Sequence, residues 1–220
     1  MQTQEEINRR PLLILGTREL APEVADVVSG IPGVRVAGYV ENMDPARCAQ
    51  SIGGLPVYWI DDVAEMAASH AATCGIVTTM RSRFTDQIDA LGMPFATLVH
   101  PTAHVSSTTQ LGPGTLVGAG VVIGAHSRLG RHVFVNRGAL IGHHTRIGDF
   151  VTVQPGANIA GACDIGPATY VGMGAVVIDH MKVGSHSVIG AGAVVIEDVP
   201  DHVLVVGVPA KIAKKDIPGK

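Results

Sequence analysis

Aliphatic residues recur at every sixth position along the second half of the chain. An α-helix would repeat near 3.6 residues and a strand at 2, so a strict period of six requires a short strand and a turn in each hexad. Three hexads make one triangular coil of eighteen residues, whose aliphatic side chains point inward and whose strands stack in parallel about 4.8 Å apart. The pattern therefore predicts a parallel β-helix, built on sixteen positions: Val105, Leu111, Val117, Ile123, Leu129, Val135, Ile141, Ile147, Val153, Ile159, Ile165, Val171, Val177, Val183, Ile189 and Val195.

Two further positions of the hexad are also restricted. In ten hexads a glycine comes directly after the aliphatic residue, and we expect a positive φ there because glycine has no Cβ to oppose it at a corner. The residue two positions before the aliphatic one is mostly small or β-branched, as at Ala103, Thr115 and Val121. No insertion interrupts the repeat, so the β-helix is expected to be continuous.

The first hundred residues follow a different pattern, typical of an α/β domain. Residues 11–16 form a buried-strand run that ends in glycine, residues 19–29 have the apolar spacing of a helix, and residues 34–40 predict a second strand. Strand, helix and strand in this order predict a parallel βαβ unit.

Four more elements complete this predicted domain: a helix over 60–72, a strand over 75–79, a helix over 84–91 and a short strand over 94–99. We place the domain boundary near residue 99. The predicted organisation is then a small Rossmann-like α/β domain at 1–99, a β-helix at 100–202, and a C-terminal cap and tail at 203–220.

Parallel sheets bind ligands at the carboxyl ends of their strands. This rule selects the candidate binding residues of the α/β domain: Gly16, Thr17, Arg18 and Glu19 after the first strand, Glu41 with Asn42 after the second, and residues 78–80 after the third.

Composition narrows the classes of partner. Hydrophobic residues make up 46% of the 220 residues and the net charge is −3. The chain therefore resembles a globular protein. It lacks the net positive charge that would draw it to nucleic acid or to an anionic membrane surface. Its sixteen basic residues are scattered, so no basic patch is predicted.

The cysteines bear on the compartment. Cys48, Cys74 and Cys163 are odd in number and widely spaced, and no Cys-x-x-Cys occurs. This usage argues against a disulfide framework or a zinc knuckle and favours a reducing compartment. Residues 1–10 are polar and lack the hydrophobic core of a signal peptide, so we expect a cytoplasmic protein.

Three motifs carry a resemblance to a known family. They are His-Pro-x-Ala at 100–103, Asn-x-Gly-Ala-x-x-x-His at 136–143, and Gly-Val-Pro-Ala at 207–210. Together with the α/β domain and the unbroken repeat, they make residues 11–213 similar to the NeuD-like bacterial sugar O- and N-acyltransferases. The resemblance implies a left-handed β-helix and a homotrimer. It also implies transfer of an acetyl group from acetyl-CoA to a sugar, commonly a nucleotide-linked amino sugar, without a metal.

His143 matches the catalytic histidine of that family. Acetyl transfer to an amine or a hydroxyl needs a base that removes the proton of the nucleophile, and an imidazole titrates close to working pH. The family often has a carboxylate directly after this histidine to orient it, whereas this chain has His144. This departure either makes the base weaker or moves the orienting role to another carboxylate, and Asp149 and Glu197 are candidates only if the fold brings one close.

Gly161 stands eighteen residues after His143, one coil further along the same face. Its N–H is a candidate donor to the tetrahedral oxyanion, and its missing side chain leaves room for the thioester. The resemblance also places Asn136 near the acyl or sugar group. It places Thr152, Met173 and Ala191 along the groove for coenzyme A between neighbouring subunits, although the family often has histidine at the position of Thr152.

The acceptor site departs further from the family. A glycine-rich turn that usually follows the first strand is reduced to Gly16, Thr17 and Arg18. Arg18 is a forked donor suited to a diphosphate, with Glu19 opposing that charge. Glu41 and Asn42 are expected to hydrogen-bond a base or ribose. The acceptor group itself is an amine or a hydroxyl.

Two other classes of function use the same scaffold. γ-Class carbonic anhydrases hold zinc with three histidines on such a helix, and His144, His180 and His186 are spaced by thirty-six and then six residues. A spacing of one full hexad sends His180 and His186 to different faces, which opposes a shared ion. His126, His144 and His180 are spaced by whole coils and therefore lie in one column. This column is either a row of surface side chains or an adventitious metal site. A non-catalytic β-helix scaffold protein is the remaining alternative.

Overall fold

The computed structural model describes residues 3–220 and divides into two compact units. The first unit consists of the residues up to Val77 together with Arg81–Pro101. The second consists of Thr78–Met80 together with Thr102–Lys220.

A five-stranded sheet forms the centre of the first unit, in the order β3-β4-β2-β1-β5. Strand β1 pairs in parallel with β2 and β5, and β2 pairs in parallel with β4. The strands are β1 Leu12–Leu15, β2 Val36–Glu41, β3 Ser51–Ile52, β4 Leu55–Trp59 and β5 Ala71–Cys74, with β6 Leu98–Val99 at the end of the unit. The helices are α1 Gln4–Asn8, α2 Leu20–Ser29 and α3 Ser82–Ala90, with 3-10 helices at Pro45–Ala49 and Ile60–Met66.

Two of the predicted elements in this unit are wrong. The helix predicted over 60–72 is a 3-10 helix that ends at Met66, and the third strand is Ala71–Cys74 rather than 75–79. Alanine favours helices, but Ala71 and Ala72 are fully buried beside β1, where a small side chain is needed. Glycine is required directly after this strand, because a Cβ at Gly75 would come within 3.0 Å of Ala21.

The second unit is a parallel β-helix. It has sixteen two-residue strands, and each ends on one of the sixteen periodic aliphatic residues. The strands are β7 His104–Val105, β8 Gln110–Leu111, β9 Leu116–Val117, β10 Val122–Ile123, β11 Arg128–Leu129, β12 Phe134–Val135, β13 Leu140–Ile141, β14 Arg146–Ile147, β15 Thr152–Val153, β16 Asn158–Ile159, β17 Asp164–Ile165, β18 Tyr170–Val171, β19 Val176–Val177, β20 Lys182–Val183, β21 Val188–Ile189 and β22 Val194–Val195. From β7 to β19, each strand pairs with the strand eighteen residues later, as Val122 does with Leu140.

Three faces result from this stacking, and their outward residues differ in character. The apolar face, β7-β10-β13-β16-β19-β22, presents Val122 and Leu140 to solvent. The charged face, β8-β11-β14-β17-β20, carries Arg128, Arg146 and Asp164 on its outer side. The third face contains β9, β12, β15, β18 and β21. The turns between the faces are named as corners. The first corner follows a strand of the apolar face, and the second corner follows a strand of the charged face. The third corner follows a strand of the third face.

The C-terminal residues continue the second unit. Strand β23, Leu204–Val206, extends the third face by pairing in parallel with β21. Strand β24, Lys211–Lys214, turns back antiparallel to β23. No helix within residues 3–220 has the length and hydrophobicity that crossing a bilayer requires.

The glycines do not act as predicted. Positive φ occurs three positions after the aliphatic residue, at glycines such as Gly120 and at other residues such as His144, whose φ is 57°. The glycine directly after the aliphatic residue is required instead by the next coil. At Gly142, for example, a Cβ would come within 2.4 Å of the Gly161 nitrogen. Coil stacking, rather than corner conformation, therefore selects these glycines.

Candidate active site

His143 lies at the first corner, directly beyond β13 and Gly142. Its side chain is exposed. Its carbonyl oxygen accepts the N–H of Ala162 in the next coil at 2.8 Å. The stacking of coils thus fixes the backbone of His143 while its imidazole remains open to solvent.

The side chain that contacts His143 is His144. The two Nδ1 atoms are 3.0 Å apart and the rings meet edge to face at 85°. The carboxylates considered as alternatives are bound elsewhere. Asp149 accepts the N–H of Arg131 at 2.9 Å, and Glu197 pairs with Lys211 at 3.3 Å. The expectation that a distant carboxylate replaces the missing neighbour is therefore wrong for these two residues.

Gly161 lies against the imidazole of His143, as its spacing of one coil predicts. A Cβ at Gly161 would stand 2.9 Å from both Nε2 and Cε1 of His143. Within residues 3–220 the Gly161 N–H has no backbone acceptor, although its carbonyl oxygen accepts the N–H of His180 at 3.0 Å. The imidazole of His143 therefore occupies the space that a side chain at Gly161 would take.

The predicted catalytic residue Asn136 and the other predicted cofactor residues lie elsewhere on the β-helix. Met173 and Ala191 are exposed at the third corner in adjacent coils, with Met173 57% exposed. Asn136 belongs to the same corner, where its side-chain oxygen accepts the N–H of Arg137 at 2.7 Å. Thr152 is fully buried on the third face, so its side chain is not offered to a cofactor.

The candidate acceptor residues of the first unit meet where β1 and β2 end. The Thr17 hydroxyl donates to the carboxylate of Glu41. The other carboxylate oxygen accepts the backbone N–H groups of Asn42, Met43 and Asp44 at 3.0, 2.8 and 3.3 Å. Glu41 is only 5% exposed, so its oxygens hold the loop that follows β2.

Hydrogen bonds control the ionisation of Glu41. Burial alone would raise its pKa, but the hydroxyl of Thr17 and the three backbone N–H groups outweigh burial. The pKa of Glu41 therefore lies below its ordinary value of 4.5. The carboxylate is therefore ionised near neutral pH.

Arg47 is a member of this cluster that the sequence analysis missed. Its Nε donates to the Thr17 hydroxyl and its guanidinium to the Thr17 carbonyl oxygen, both at 2.9 Å. Its Nε is also 3.4 Å from Glu41. No motif marks Arg47, because the contact depends on the fold of the loop after β2.

The remaining acceptor candidates differ in position. Gly16 has φ 106° and donates its N–H to Val40 at 2.8 Å, so the turn after β1 is built on glycine as predicted. Arg18 is exposed just before α2, and Asn42 donates to Gln87 at 2.7 Å. Residues 78–80 do not follow the third strand, which ends at Cys74. They belong to the second unit instead.

The histidines of the zinc alternative do not converge. His180 lies at the first corner, 3.6 Å from Asp179. His186 stacks on His202 at the second corner, with ring centroids 5.0 Å apart. Among residues 3–220 no three His, Cys, Asp or Glu side chains form a group that could hold a metal ion.

Solved structures resemble this chain along nearly its whole length. No protein-family model matches it, and no curated protein matches it in sequence. It is similar to the perosamine N-acetyltransferase of Caulobacter crescentus at 31% identity, over 93% of this chain and 97% of that one, with a TM-score of 0.85. That structure contains CoA and GDP-perosamine and carries asparagine in place of one histidine.

Two further structures extend the comparison. The acetyltransferase domain of PglB from Neisseria gonorrhoeae, in complex with acetyl coenzyme A, is 30% identical over 92% of this chain and 98% of that one, with a TM-score of 0.84. WeeI from Acinetobacter baumannii is 24% identical over 92% and 99%, with a TM-score of 0.83, and shares the fold. The predicted α/β domain and left-handed parallel β-helix are confirmed.

Proposed function

Because the chain belongs to the NeuD-like family of hexapeptide-repeat sugar acyltransferases, and is an acetyl-CoA-dependent acyltransferase, we propose that it acetylates the amine of a nucleotide-linked amino sugar. The residues alone leave an amine and a hydroxyl open as acceptors. The likeness to an N-acetyltransferase whose structure contains CoA and GDP-perosamine supports the amine and the nucleotide.

His143 is the general base in this proposal. The observation that carries it is the close packing of the His143 imidazole on Gly161, where a Cβ would stand 2.9 Å from Nε2. As the amine attacks the thioester carbonyl, Nε2 takes its proton, and the Gly161 N–H donates to the oxyanion. Collapse of the tetrahedral intermediate breaks the C–S bond, and the departing thiolate of CoA receives the proton from His143.

The active enzyme is a homotrimer in this proposal. His143 and Gly161 occupy the first corner, whereas Met173 and Ala191 occupy the third, and the apolar face separates them. One chain therefore cannot bring the base and these cofactor residues together. A second copy that covers the apolar face, where Val122 and Leu140 are 41% and 42% exposed, would supply the missing corner and remove apolar surface from water.

The nucleotide is held at the ends of β1 and β2. Gly16, Thr17 and Arg18 face the diphosphate, with Arg18 as the forked cation. Asn42 contacts the base or the ribose. Glu41 acts through the loop that it holds, because its oxygens already accept internal donors.

We place the enzyme in the cytoplasm. The support is the state of its thiols, since Cys48, Cys74 and Cys163 are all free. A reducing compartment keeps cysteines in this state.

Activity with chosen acceptors tests the function. Purified protein is incubated with acetyl-CoA and nucleotide-linked sugars that carry either an amine or a hydroxyl at the same carbon. We expect release of the CoA thiol and a product heavier by one acetyl group only with an amine. The variant His143→Asn should lower kcat by roughly 10²- to 10⁴-fold with little change in the KM for acetyl-CoA. Acetylation of the hydroxyl sugars alone, or full activity of His143→Asn, would contradict the proposal.

Sedimentation tests the assembly. Wild-type protein should sediment as a trimer, and Leu140→Asp on the apolar face should dissociate it and abolish activity, because a buried charge has no partner there. Arg146→Asp is the matched control at the equivalent strand position on the charged face. A stable monomer with full activity would exclude the shared site.

A further inference from the structure

The contact between His143 and His144 constrains where their protons lie. Their Nδ1 atoms are 3.0 Å apart, a distance at which one nitrogen must carry a proton and the other must accept it. A proton on both atoms would set two donors against each other. The pair therefore exists in one of two arrangements, which differ in the tautomer of His143.

Only one arrangement suits a base at His143. If His144 donates, the remaining proton of a neutral His143 sits on Nε2, the nitrogen beside Gly161. If His143 donates from Nδ1, then Nε2, the nitrogen beside Gly161, is bare and can accept a proton. We propose that His144 is a positioning residue that accepts the Nδ1 proton of His143 and so holds the base in its working tautomer. This inference rests on the proposed role of His143.

The backbone holds His144 in place for this role. Its φ is 57°, a left-handed conformation that most residues avoid. Its N–H donates to Ala125 in the preceding coil at 2.8 Å. The ring of His126, also in that coil, is 4.9 Å from the ring of His144. The acceptor is thus presented to His143 from a fixed corner.

The neutral character of this acceptor has a consequence for the pH profile. A carboxylate at 144 would stabilise the imidazolium of His143 by charge, whereas a neutral imidazole only hydrogen-bonds to it. The ionisable neighbours at this corner are His126 in the preceding coil, and Asp179 and His180 two coils further on, which pair with each other at 3.6 Å. An aspartate at 144 should therefore move the acid limb of kcat to higher pH, because the base would hold its proton more tightly.

Three substitutions at one position test the role. His144→Ala removes the acceptor and should lower kcat by about 10- to 100-fold, the usual effect of losing an orienting partner, with both KM values unchanged. His144→Asn supplies a neutral oxygen acceptor and tolerates positive φ, so it should restore most of kcat. His144→Asp should also restore kcat but with the acid limb displaced upward. His180→Ala, at the same corner position with φ 62°, is the matched control and should retain wild-type kcat.

Nitrogen-15 spectra of the histidine rings give a readout that does not depend on turnover. The wild-type protein should show His143 protonated at Nδ1 and bare at Nε2, and His144→Ala should show a mixture of tautomers. Wild-type His143 protonated at Nε2 would overturn the proposal. So would unchanged kcat in all three variants, or an equal loss in all three, since an acceptor could not then be the cause. A fully active His143→Asn would instead remove the proposed function itself.

Discussion

Gly161 lies directly against the imidazole of His143, and a Cβ at this position would come within 2.9 Å of Nε2. The contact joins two coils, since the residues are eighteen positions apart in the sequence. An alanine at 161 must therefore displace the ring.

We expect Gly161→Ala to lower kcat by roughly 10²-fold, because a shift of the base by about 1 Å suffices for a loss of that size. The KM for acetyl-CoA should rise as well, since the displaced ring would lie closer to where the thioester is proposed to bind. Steady-state kinetics measure both effects, and the melting temperature checks that the fold survives. An alanine variant with wild-type kcat would show that the contact between Gly161 and His143 does not position the base.

Two glycines of the repeat should respond differently to alanine. Gly156 has φ 66° and open space around it, so Gly156→Ala should cost only the backbone strain of about 1–2 kcal/mol. At Gly166 the new Cβ would come 2.6 Å from the nitrogen of Ser185 in the next coil. Gly166→Ala should therefore cost more, about 3 kcal/mol.

Denaturant unfolding at one fixed protein concentration compares these two glycine variants. A greater loss at Gly156 than at Gly166 would mean that corner conformation, rather than coil stacking, selects glycine in the hexad.

The stabilising effect of Glu41 should depend on pH in a known direction. Its pKa is lower in the folded chain than the ordinary value of 4.5, so its contribution is complete above that value and is lost as the pH falls through the folded pKa. Glu41→Gln should thus lower the free energy of unfolding by about 1–3 kcal/mol at pH 7. The difference between the two proteins should shrink as the pH falls below 4.5.

Urea unfolding of wild type and Glu41→Gln between pH 7 and pH 3 would measure this trend. The control is Glu19→Gln, an exposed carboxylate whose loss should change little at any pH. A difference at Glu41 that grows on acidification would contradict the lowered pKa.

The period of six predicted the β-helix because coil stacking repeats one physical requirement in every hexad. An inward aliphatic residue is needed each time, so the pattern appears directly in the sequence. The same regularity predicted that Gly161 would lie one coil beyond His143. Contacts between coils can be predicted from the sequence because they join positions at a fixed spacing.

Features that depend on local packing could not be predicted from the sequence in the same way. Positive φ falls on histidines and alanines such as His144 and Ala162 as well as on glycines, so residue type does not mark the position. Ala71–Cys74 is a strand because its burial beside β1 overrides the helical preference of alanine. Arg47 reaches Thr17 only through the fold of a loop, and no spacing rule relates residues thirty positions apart there.

Substitution of Arg18 tests the proposed binding site for the nucleotide sugar. If it contacts the diphosphate of a nucleotide sugar, Arg18→Ala should raise the KM for that acceptor by roughly 10-fold, the equivalent of about 1.4 kcal/mol for a lost charge-assisted hydrogen bond. The KM for acetyl-CoA should not change. Arg35→Ala provides the matched control, because Arg35 is also exposed but directly precedes β2, at the amino end of the same sheet.

The effect of Arg18→Ala should also weaken at high salt, because an exposed ionic contact is screened. A thermal-shift titration with the nucleotide sugar provides a second measure, since a ligand of the folded state raises the melting temperature, and at a given concentration a tighter ligand raises it more. Two results together would contradict this role: equal KM values for Arg18→Ala, Arg35→Ala and wild type, and no thermal shift by any nucleotide sugar. They would mean that the turn after β1 does not bind a diphosphate. The acceptor would then be a sugar without a nucleotide, while the chemistry at His143 would stand unchanged.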